Sequence, residues 1–92
     1  MTYVVRYSKH LDWKRFRQLS ASDRKRLQRA IEGKLAVDPV TFGKPLRKSL
    51  WQCRSLRVGD YRIVYRVEGR TVEILLFGHR SNVYQSAKKF LG

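Results

Sequence analysis

The stretch that decides the fold is "QCRSLRVGDYRIVYRVEGRTVEILLFG", residues 52–78. It contains three runs rich in β-branched, aromatic and aliphatic side chains, which favour β-strands. The runs cover residues 52–58, 61–67 and 70–78, and turn residues separate them at Gly59-Asp60 and at Glu68-Gly69. Connections as short as these join antiparallel neighbours. The sequence therefore predicts a meander of three antiparallel strands.

The segment before the meander begins with a predicted strand. Residues 2–7, "TYVVRY", are β-branched and aromatic, and alternation places Tyr3, Val5 and Tyr7 on one face. Apolar side chains then recur at roughly helical spacing and predict a first helix at about residues 9–19. The N-terminal part is thus expected to form a strand followed by a helix.

A second helix is better marked by the sequence. Ser20 stands three residues before Asp23, which is a capping-box pattern at a helix start. Apolar residues then recur every four positions, at Leu27, Ile31 and Leu35. Asp38-Pro39 is expected to end this helix, because the residue before a proline disfavours helical dihedrals.

Two connecting segments complete the predicted fold. Residues 39–50, "PVTFGKPLRKSL", predict a long loop with two prolines, and residues 81–92, "SNVYQSAKKFLG", predict one or two turns of helix. We therefore predict a single α+β domain over residues 1–92. A strand and a helical hairpin pack on a small, mainly antiparallel curved sheet, and a short helix follows at the C-terminus.

The net charge is the strongest signal in the composition. The 92 residues carry 21 Lys and Arg against 7 Asp and Glu, which gives a formal charge of +14 at pH 7. Since 42% of the residues are hydrophobic, the chain is too apolar for a disordered basic tail. Binding of an anion relieves the repulsion among these charges. We expect a polyanionic partner, and RNA, DNA, an anionic membrane and an acidic protein segment all meet this condition.

The remaining composition excludes several protein classes. One cysteine, Cys53, allows no intramolecular disulfide. The longest apolar run, "ILLF" at residues 74–77, is too short for a signal peptide or a membrane span. Two histidines and one cysteine without ligand spacing predict no metal site, and we expect no cofactor. The composition indicates a soluble cytoplasmic protein that does not enter the membrane.

Alternation in the middle strand separates a core face from a cationic face. The predicted core face holds Tyr61, Ile63, Tyr65 and Val67, and the opposite face holds Arg62, Val64 and Arg66. In the preceding strand Arg54 and Arg57 alternate out of phase, so only one of them shares the face of Arg62. The usual register brings Arg80, after the last strand, toward Arg62. Such guanidinium groups repel one another unless an anion lies between them.

The segment "GHRSNVY", residues 78–84, adds groups suited to RNA chemistry. RNA carries its own nucleophile, the 2′-hydroxyl, so cleavage requires positioning, proton transfer and compensation of phosphate charge, without a metal. Arg62 and Arg80 suit charge compensation, while His79 and Tyr84 are candidates for proton transfer or base stacking. Structural alternatives are a surface position for His79, an acidic partner for Arg80 and packing over the sheet for Tyr84.

Further basic side chains are candidates for RNA binding, because cationic side chains, and arginine above all, suit contact with phosphate. They lie in the predicted loop and on the strands of the meander. These candidates are Lys44, Arg47, Lys48, Arg54, Arg57 and Arg66.

Three motifs resemble the RelE/ParE superfamily of bacterial toxins, and the last of them favours its RelE branch. The motifs are "GKPL" at residues 43–46, "LRVGDYRIVYRV" at 56–67 and "GHRSNVY" at 78–84. The N-terminal part is similar only in the order of its elements. The resemblance implies a RelE-like fold, and Arg62, Arg80 and Tyr84 match positions of the family's active site.

The resemblance also implies a function. The chain would be the toxin of a type II toxin-antitoxin system, a ribosome-dependent endoribonuclease that cleaves mRNA by 2′-hydroxyl attack without a metal. Its partners would be a cognate acidic antitoxin, the ribosome and mRNA. Operator DNA would be bound only by the toxin-antitoxin complex.

One departure from the family pattern leaves the function open. Some RelE members use two lysines at positions of the meander that hold Cys53 and Ser55 here. His79 is therefore the first candidate for the general base, with Arg54 as an electrostatic substitute. The missing lysines favour the alternative of a ParE-like DNA gyrase inhibitor that acts by binding. A weaker alternative is a nucleic-acid-binding module without toxicity.

Overall fold

A computed structural model describes residues 3–9, 11–47, 50 and 52–91. Its strands are β1 (Val4–Tyr7), β2 (Lys44–Pro45), β3 (Arg54–Val58), β4 (Tyr61–Glu68) and β5 (Thr71–His79). Its α-helices are α1 (Trp13–Gln18), α2 (Ala21–Ala30), α3 (Pro39–Phe42) and α4 (Val83–Leu91), and a π-helical segment, Ile31–Leu35, continues α2. None of the helices in these residues has the length and apolar character needed to cross a membrane.

The strands form one sheet in the order β1-β5-β4-β3-β2. The predicted antiparallel meander is β3, β4 and β5; β2 joins β3 antiparallel, and β1 joins β5 in parallel. Val64 pairs with Leu76 and Tyr65 with Ile74, so Leu75 is left without a partner on β4. A bulge of this kind bends the strand that carries it. The predicted α+β class with a mainly antiparallel sheet is confirmed.

Helices cover both faces of the sheet, and strand alternation decides which residues contact which helix. On the face toward α1 and α2, here called the hairpin face, the core includes Leu27, Leu35, Ile63, Tyr65 and Ile74. On the opposite face, here called the α4 face, the buried residues include Val64, Leu76, Val83 and Ala87. The predicted core face of β4 is therefore confirmed, and the predicted C-terminal helix covers the other side.

The two helices of the hairpin begin at capping side chains. Ser20 Oγ accepts a hydrogen bond from the backbone N–H of Asp23 at 3.1 Å, as the capping pattern predicted. Asp12 Oδ1 accepts one from the N–H of Arg15 at 3.0 Å, and α1 starts at Trp13. This start is later than predicted because Asp12 is the N-cap, so that the first helical residue is Trp13.

The predicted loop over residues 39–50 was wrong in its first half. α3 occupies residues Pro39–Phe42, and Asp38 Oδ1 caps it by accepting a hydrogen bond from the N–H of Thr41 at 3.2 Å. A proline at the first helical position is favourable, because it lacks an N–H that would remain unpaired there. Asp38-Pro39 thus ends one helical segment and starts another, and β2 then adds to the sheet.

The two turns of the meander each require a glycine. They lie at Gly59-Asp60, as predicted, and at Gly69-Arg70, one residue later than predicted. Gly59 has a φ of 60° and Gly69 a φ of 59°, which is left-handed backbone. A residue with a Cβ costs about 1 to 2 kcal/mol in this conformation.

Gly69→Ala is therefore expected to lower the free energy of unfolding by about 1 kcal/mol, as measured by urea denaturation. No atom lies within 4 Å of the added Cβ, so the loss is purely conformational. Gly59→Ala should lose a similar amount, since the atoms near its Cβ form the flexible end of the Arg26 side chain. A far larger loss in Gly59→Ala would contradict this and mean that Arg26 is rigidly held.

Candidate functional site

Two arginines of the meander stand directly opposite each other on the α4 face. Arg57 on β3 is the register partner of Arg62 on β4, and Gly78 on β5 is the partner of Arg62 on its other side. Adjacent strands lie about 4.8 Å apart, and like charges directly opposite each other repel. The arrangement is unfavourable by itself and becomes favourable when an anion lies between the two guanidinium groups. Alternation had left open whether Arg54 or Arg57 shares the face of Arg62. The register shows that it is Arg57.

The guanidinium of Arg62 is anchored to the turn between β3 and β4. Its Nη1 donates to the carbonyl oxygen of Gly59 at 3.2 Å and to that of Tyr61 at 2.9 Å. A guanidinium has five N–H donors, so those on Nε and Nη2 stay available to a ligand. The turn therefore orients Arg62 without using its full capacity to bind an anion.

Arg80 reaches the same turn from the end of β5. Its backbone N–H donates to the carbonyl oxygen of Asp60 at 2.8 Å, and its Nε lies 4.0 Å from Asp60 Oδ1. The acidic partner considered for Arg80 is thus present. Both side chains are largely exposed, at 61% and 72% of their surface, so this ion pair is weak and easily exchanged for a phosphate. Arg62 and Arg80 converge on one turn, as the register argument predicted.

Tyr84 lies over the α4 face and is held by a serine. Its hydroxyl lies 2.9 Å from Ser55 Oγ, and either oxygen can be the donor. Ser55 is buried and belongs to the same face of β3 as Arg57, about 6.6 Å further along the strand. The ring packs against the apolar residues beneath α4, so the packing alternative for Tyr84 is also correct. The hydroxyl therefore lies on the face of the Arg57–Arg62 pair, at a serine two strand positions from Arg57.

His79 is not brought together with these groups. It is the register partner of Tyr61, whose ring packs on the hairpin face, and the two ring centroids are 6.2 Å apart in an edge-to-face arrangement. Its Nδ1 accepts a hydrogen bond from the N–H of Ser81 at 3.2 Å and lies 2.8 Å from Ser81 Oγ. His79 is therefore an exposed residue at the strand end, on the opposite side from Arg62.

The predicted RNA-binding residues are distributed over different surfaces. Arg54 points to the hairpin side, where its Nη2 donates to the carbonyl oxygens of Val40 and Gly43 at 2.5 and 2.8 Å. Arg66 is on the α4 face but forms an ion pair with Glu73 at 2.7 Å. Among the members of the set that the structure describes, only Arg57 joins Arg62. Lys44 and Arg47 are exposed near β2, and Lys48 lies outside the described residues.

The positions of the two missing family lysines are closed to solvent. Cys53 is a free cysteine with 7% of its surface exposed, and Ser55 is equally buried. Burial raises the pKa of the Cys53 thiol, an effect that the charge of Arg66 only partly offsets. A thiol held in its neutral form is a poor nucleophile or base. The role of Ser55 as the partner of Tyr84 was not predicted from the sequence. Ser55 stands two residues before Arg57, so alternation could have placed it on the same face of the sheet.

The chain matches a protein-family model described as "ParE toxin of type II toxin-antitoxin system, parDE" over residues 9–84. The chain belongs to this toxin family. The match includes the meander and the helical hairpin, and the expected resemblance to RelE/ParE toxins is confirmed.

Individual relatives carry RelE-type names. The chain is 44% identical over 55 residues to Toxin RelG and 42% identical over 57 residues to Toxin RelE, both from Mycobacterium tuberculosis. The two matches cover 58% and 60% of this chain, but only 63% and 59% of the relatives' own lengths. The similarity to these two proteins therefore concerns about six tenths of each.

Solved structures extend the similarity to nearly the whole fold. The toxin-antitoxin complex RelBE2 from Mycobacterium tuberculosis contains a chain that matches with a TM-score of 0.78 and 32% identity, over 87% of this chain and all of that one. The isolated RelE toxin of E. coli matches with a TM-score of 0.66 and 26% identity, over 95% and 96% of the two chains. The intact E. coli RelBE complex matches with a TM-score of 0.64 and 25% identity, over 84% and 95%.

Proposed function

We propose that this chain is the toxin of a type II toxin-antitoxin system and that it cleaves mRNA on the ribosome. One observation carries the proposal: Arg57 and Arg62 lie opposite each other on the α4 face, and the hydroxyl of Tyr84 lies on the same face at Ser55, two strand positions from Arg57. Concentrated positive charge and a group that can exchange a proton are the protein contributions that 2′-hydroxyl attack on a phosphodiester requires.

In the proposed reaction the 2′-oxygen of the RNA attacks the adjacent phosphorus and loses its proton, while the 5′-oxygen leaves and gains one. The product ends are a 2′,3′-cyclic phosphate and a 5′-hydroxyl. Arg62 and Arg80 compensate the charge that develops on the phosphate oxygens, and the opposed Arg57 adds to this field. Tyr84, oriented by Ser55, is the side chain best placed to exchange a proton near the phosphate. The scheme uses no metal ion.

Two side chains are candidates for the general base, His79 and Tyr84. His79 keeps the role of candidate base that its imidazole suggested, but it would have to act from the opposite side of the strand end. Tyr84 lies on the same face of the sheet as Arg57 and Arg62, through its contact with Ser55, and Arg54 is held by backbone carbonyls on the other side. Comparing Tyr84→Phe with His79→Gln in the cleavage assay decides between the first two, because each variant removes one group and keeps its shape.

We propose that cleavage depends on the ribosome, because only a few side chains of this chain are candidates for catalysis. A general acid or base contributes about 10²- to 10⁴-fold and one electrostatic donor about 10²- to 10³-fold. A thin domain of 92 residues offers little further surface for orienting a flexible RNA chain. The ribosome would hold the message in line and supply this missing positioning.

The proposed partners follow from charge and from the related complexes. The RelBE2 structure from Mycobacterium tuberculosis and the RelBE structure from E. coli are toxin-antitoxin complexes. We propose that an acidic antitoxin covers this chain too, because a formal charge of +14 favours an anionic partner. Operator DNA would be bound only by the toxin-antitoxin complex. The proposed location is the cytoplasm, where ribosomes translate.

The test is a reconstituted translation reaction with the purified chain and one defined mRNA, followed by mapping of the RNA 3′ ends. We expect cuts that end in 2′,3′-cyclic phosphate when ribosomes are present and an intact message when they are omitted. Arg80→Ala, which removes one of the proposed charge donors, should abolish the cuts. A message that stays intact with active ribosomes would refute the proposed nuclease activity.

A ParE-like inhibitor of DNA gyrase is the second candidate. Two observations favour it: the family positions that carry lysines in some RelE members are buried and uncharged here, and the matching family model is that of ParE. Such a protein would block gyrase by contact and cut no RNA. A DNA supercoiling assay run beside the translation reaction separates the two, because an intact message with blocked supercoiling supports the inhibitor.

A further inference from the structure

A basic cleft lies between the helical hairpin and the edge of the meander. Its volume is about 340 Å³. The residues that line it are Arg26, Arg29, Ala30, Lys34, Arg57, Val58 and Gly59. Every charged side chain in this lining is basic, and the apolar side chains are the small Ala30 and Val58. Of the predicted site residues that the structure describes, Arg57 alone belongs to this lining.

The arginines of this cleft are available for a ligand. Within the described part of the chain, Arg26, Arg29 and Arg57 form no ion pair or side-chain hydrogen bond, and all three are exposed. Lys34 holds its ammonium group 5.7 Å from the ring centre of Phe42. Cations gathered without carboxylates repel one another, and an anion that enters the cleft relieves this repulsion.

At one end of the cleft, Gly59 has no side chain, so the guanidinium of Arg26 can approach the backbone closely. A Cβ on Gly59 would lie only 2.5 Å from Nη2 of Arg26, so the guanidinium rests directly against the glycine. The carbonyl oxygen of Gly59 also accepts the hydrogen bond from Arg62 Nη1 at 3.2 Å. Arg57 lines the cleft and is the register partner of Arg62. The cleft and the opposed arginine pair of the candidate site therefore share Arg57 and meet at the Gly59 turn.

We propose that this cleft binds the phosphodiester backbone of the RNA next to the bond held at the Arg57–Arg62 pair. The proposal rests on the proposed function for the identity of the polyanion as RNA and for the position of the scissile bond at the Arg57–Arg62 pair. Guanidinium groups bind phosphate through paired N–H donors, and single-stranded nucleic acid is held by cationic grooves that follow its backbone. An acidic peptide is less suitable, because the described residues that line the cleft include no aromatic or large aliphatic side chain as an anchor.

The test measures binding of a short 2′-O-methylated RNA to the full chain by fluorescence anisotropy between about 50 and 200 mM salt. This RNA lacks a free 2′-hydroxyl, so it is not cut, and no ribosome is present. The test variant is Arg26→Gln/Arg29→Gln, and the matched control is Arg15→Gln/Arg17→Gln on α1. Both double variants remove the same charge from exposed helical positions. A thermal melt of each shows that it is folded.

Each phosphate contact with a single strand contributes about 0.7 to the slope of log affinity against log salt. We expect the slope of the cleft variant to fall by about 1.4, since two contacts are lost, and that of the control to stay unchanged. Equal losses in both variants would mean that net charge alone acts, and no loss in either would mean that RNA avoids the cleft; both results overturn the proposal.

A second arm replaces the RNA with a polyglutamate peptide. If the peptide and not the RNA loses affinity in Arg26→Gln/Arg29→Gln, the cleft is a protein-binding surface and the proposal is refuted. Because this assay contains neither ribosomes nor cleavable RNA, its outcome is separate from that of the cleavage assay. The two assays can therefore show that the cleft binds RNA although the chain cuts no message, or that the chain cuts the message although the cleft does not bind RNA.

Discussion

Arg62→Ala is expected to lower the rate of ribosome-dependent mRNA cleavage by more than about 10²-fold, because it removes a main donor to the phosphate. The backbone should be little affected, since the hydrogen bonds that Nη1 makes to Gly59 and Tyr61 only hold the side chain against its own turn. The measurement is a single-turnover time course with excess toxin, read by primer extension at the mapped cut positions.

Arg6→Ala is the matched control for this experiment. Arg6 lies on the outer strand β1 opposite Glu73, on the same sheet face as Arg62 but far across the sheet, and it is exposed. The control removes the same charge and should change the rate by less than about 10-fold, as expected when a lost charge is remote from the phosphate and screened by salt. A near-normal rate in Arg62→Ala would show that the phosphate does not lie at the Arg57–Arg62 pair.

The meander was predictable from sequence because several local signals agreed. Turn glycines, β-branched runs and alternation over residues 52–78 all specified the same three strands. The helix starts at Asp12 and Pro39 were harder to predict, because each residue is compatible both with the end of one element and with the start of another. The bulge at Leu75 has no local signal, because it depends on how two strands align in three dimensions.

The part of the candidate site that could be predicted from sequence is the face of the sheet on which each strand residue lies. Alternation placed Arg62 on one face and left Arg54 and Arg57 as exclusive alternatives, and the hydrogen bonds of Arg54 to Val40 and Gly43 decide between them. His79 shows the limit of this approach. It is adjacent to Arg80 in sequence, but successive strand residues point to opposite faces, so adjacency at a strand end does not bring two side chains together.

The structure explains why the "GKPL" motif begins with glycine, which strand alternation does not explain. Gly43 is buried beneath Tyr65, whose hydroxyl donates to the carbonyl oxygen of Pro39 at 2.5 Å. Burial raises the pKa of the Tyr65 phenol, which keeps the proton needed for this hydrogen bond. A Cβ on Gly43 would overlap the phenolic oxygen and lie 2.6 Å from Cζ of the ring. The motif therefore begins with glycine because a tyrosine occupies the space of its side chain.

Gly43→Ala is accordingly expected to lower the free energy of unfolding by about 3 kcal/mol, since a fully buried ring must move and its hydrogen bond is strained or lost. The measurement is urea denaturation followed by far-ultraviolet circular dichroism. Gly33→Ala is the control: no atom lies within 4 Å of its added Cβ, and alanine favours helical backbone, so stability should rise by about 0.5 to 1 kcal/mol. Equal stability of the two variants would mean that Tyr65 does not fill the space above Gly43. The connection from α3 to β2 would then not depend on the contact between these two residues.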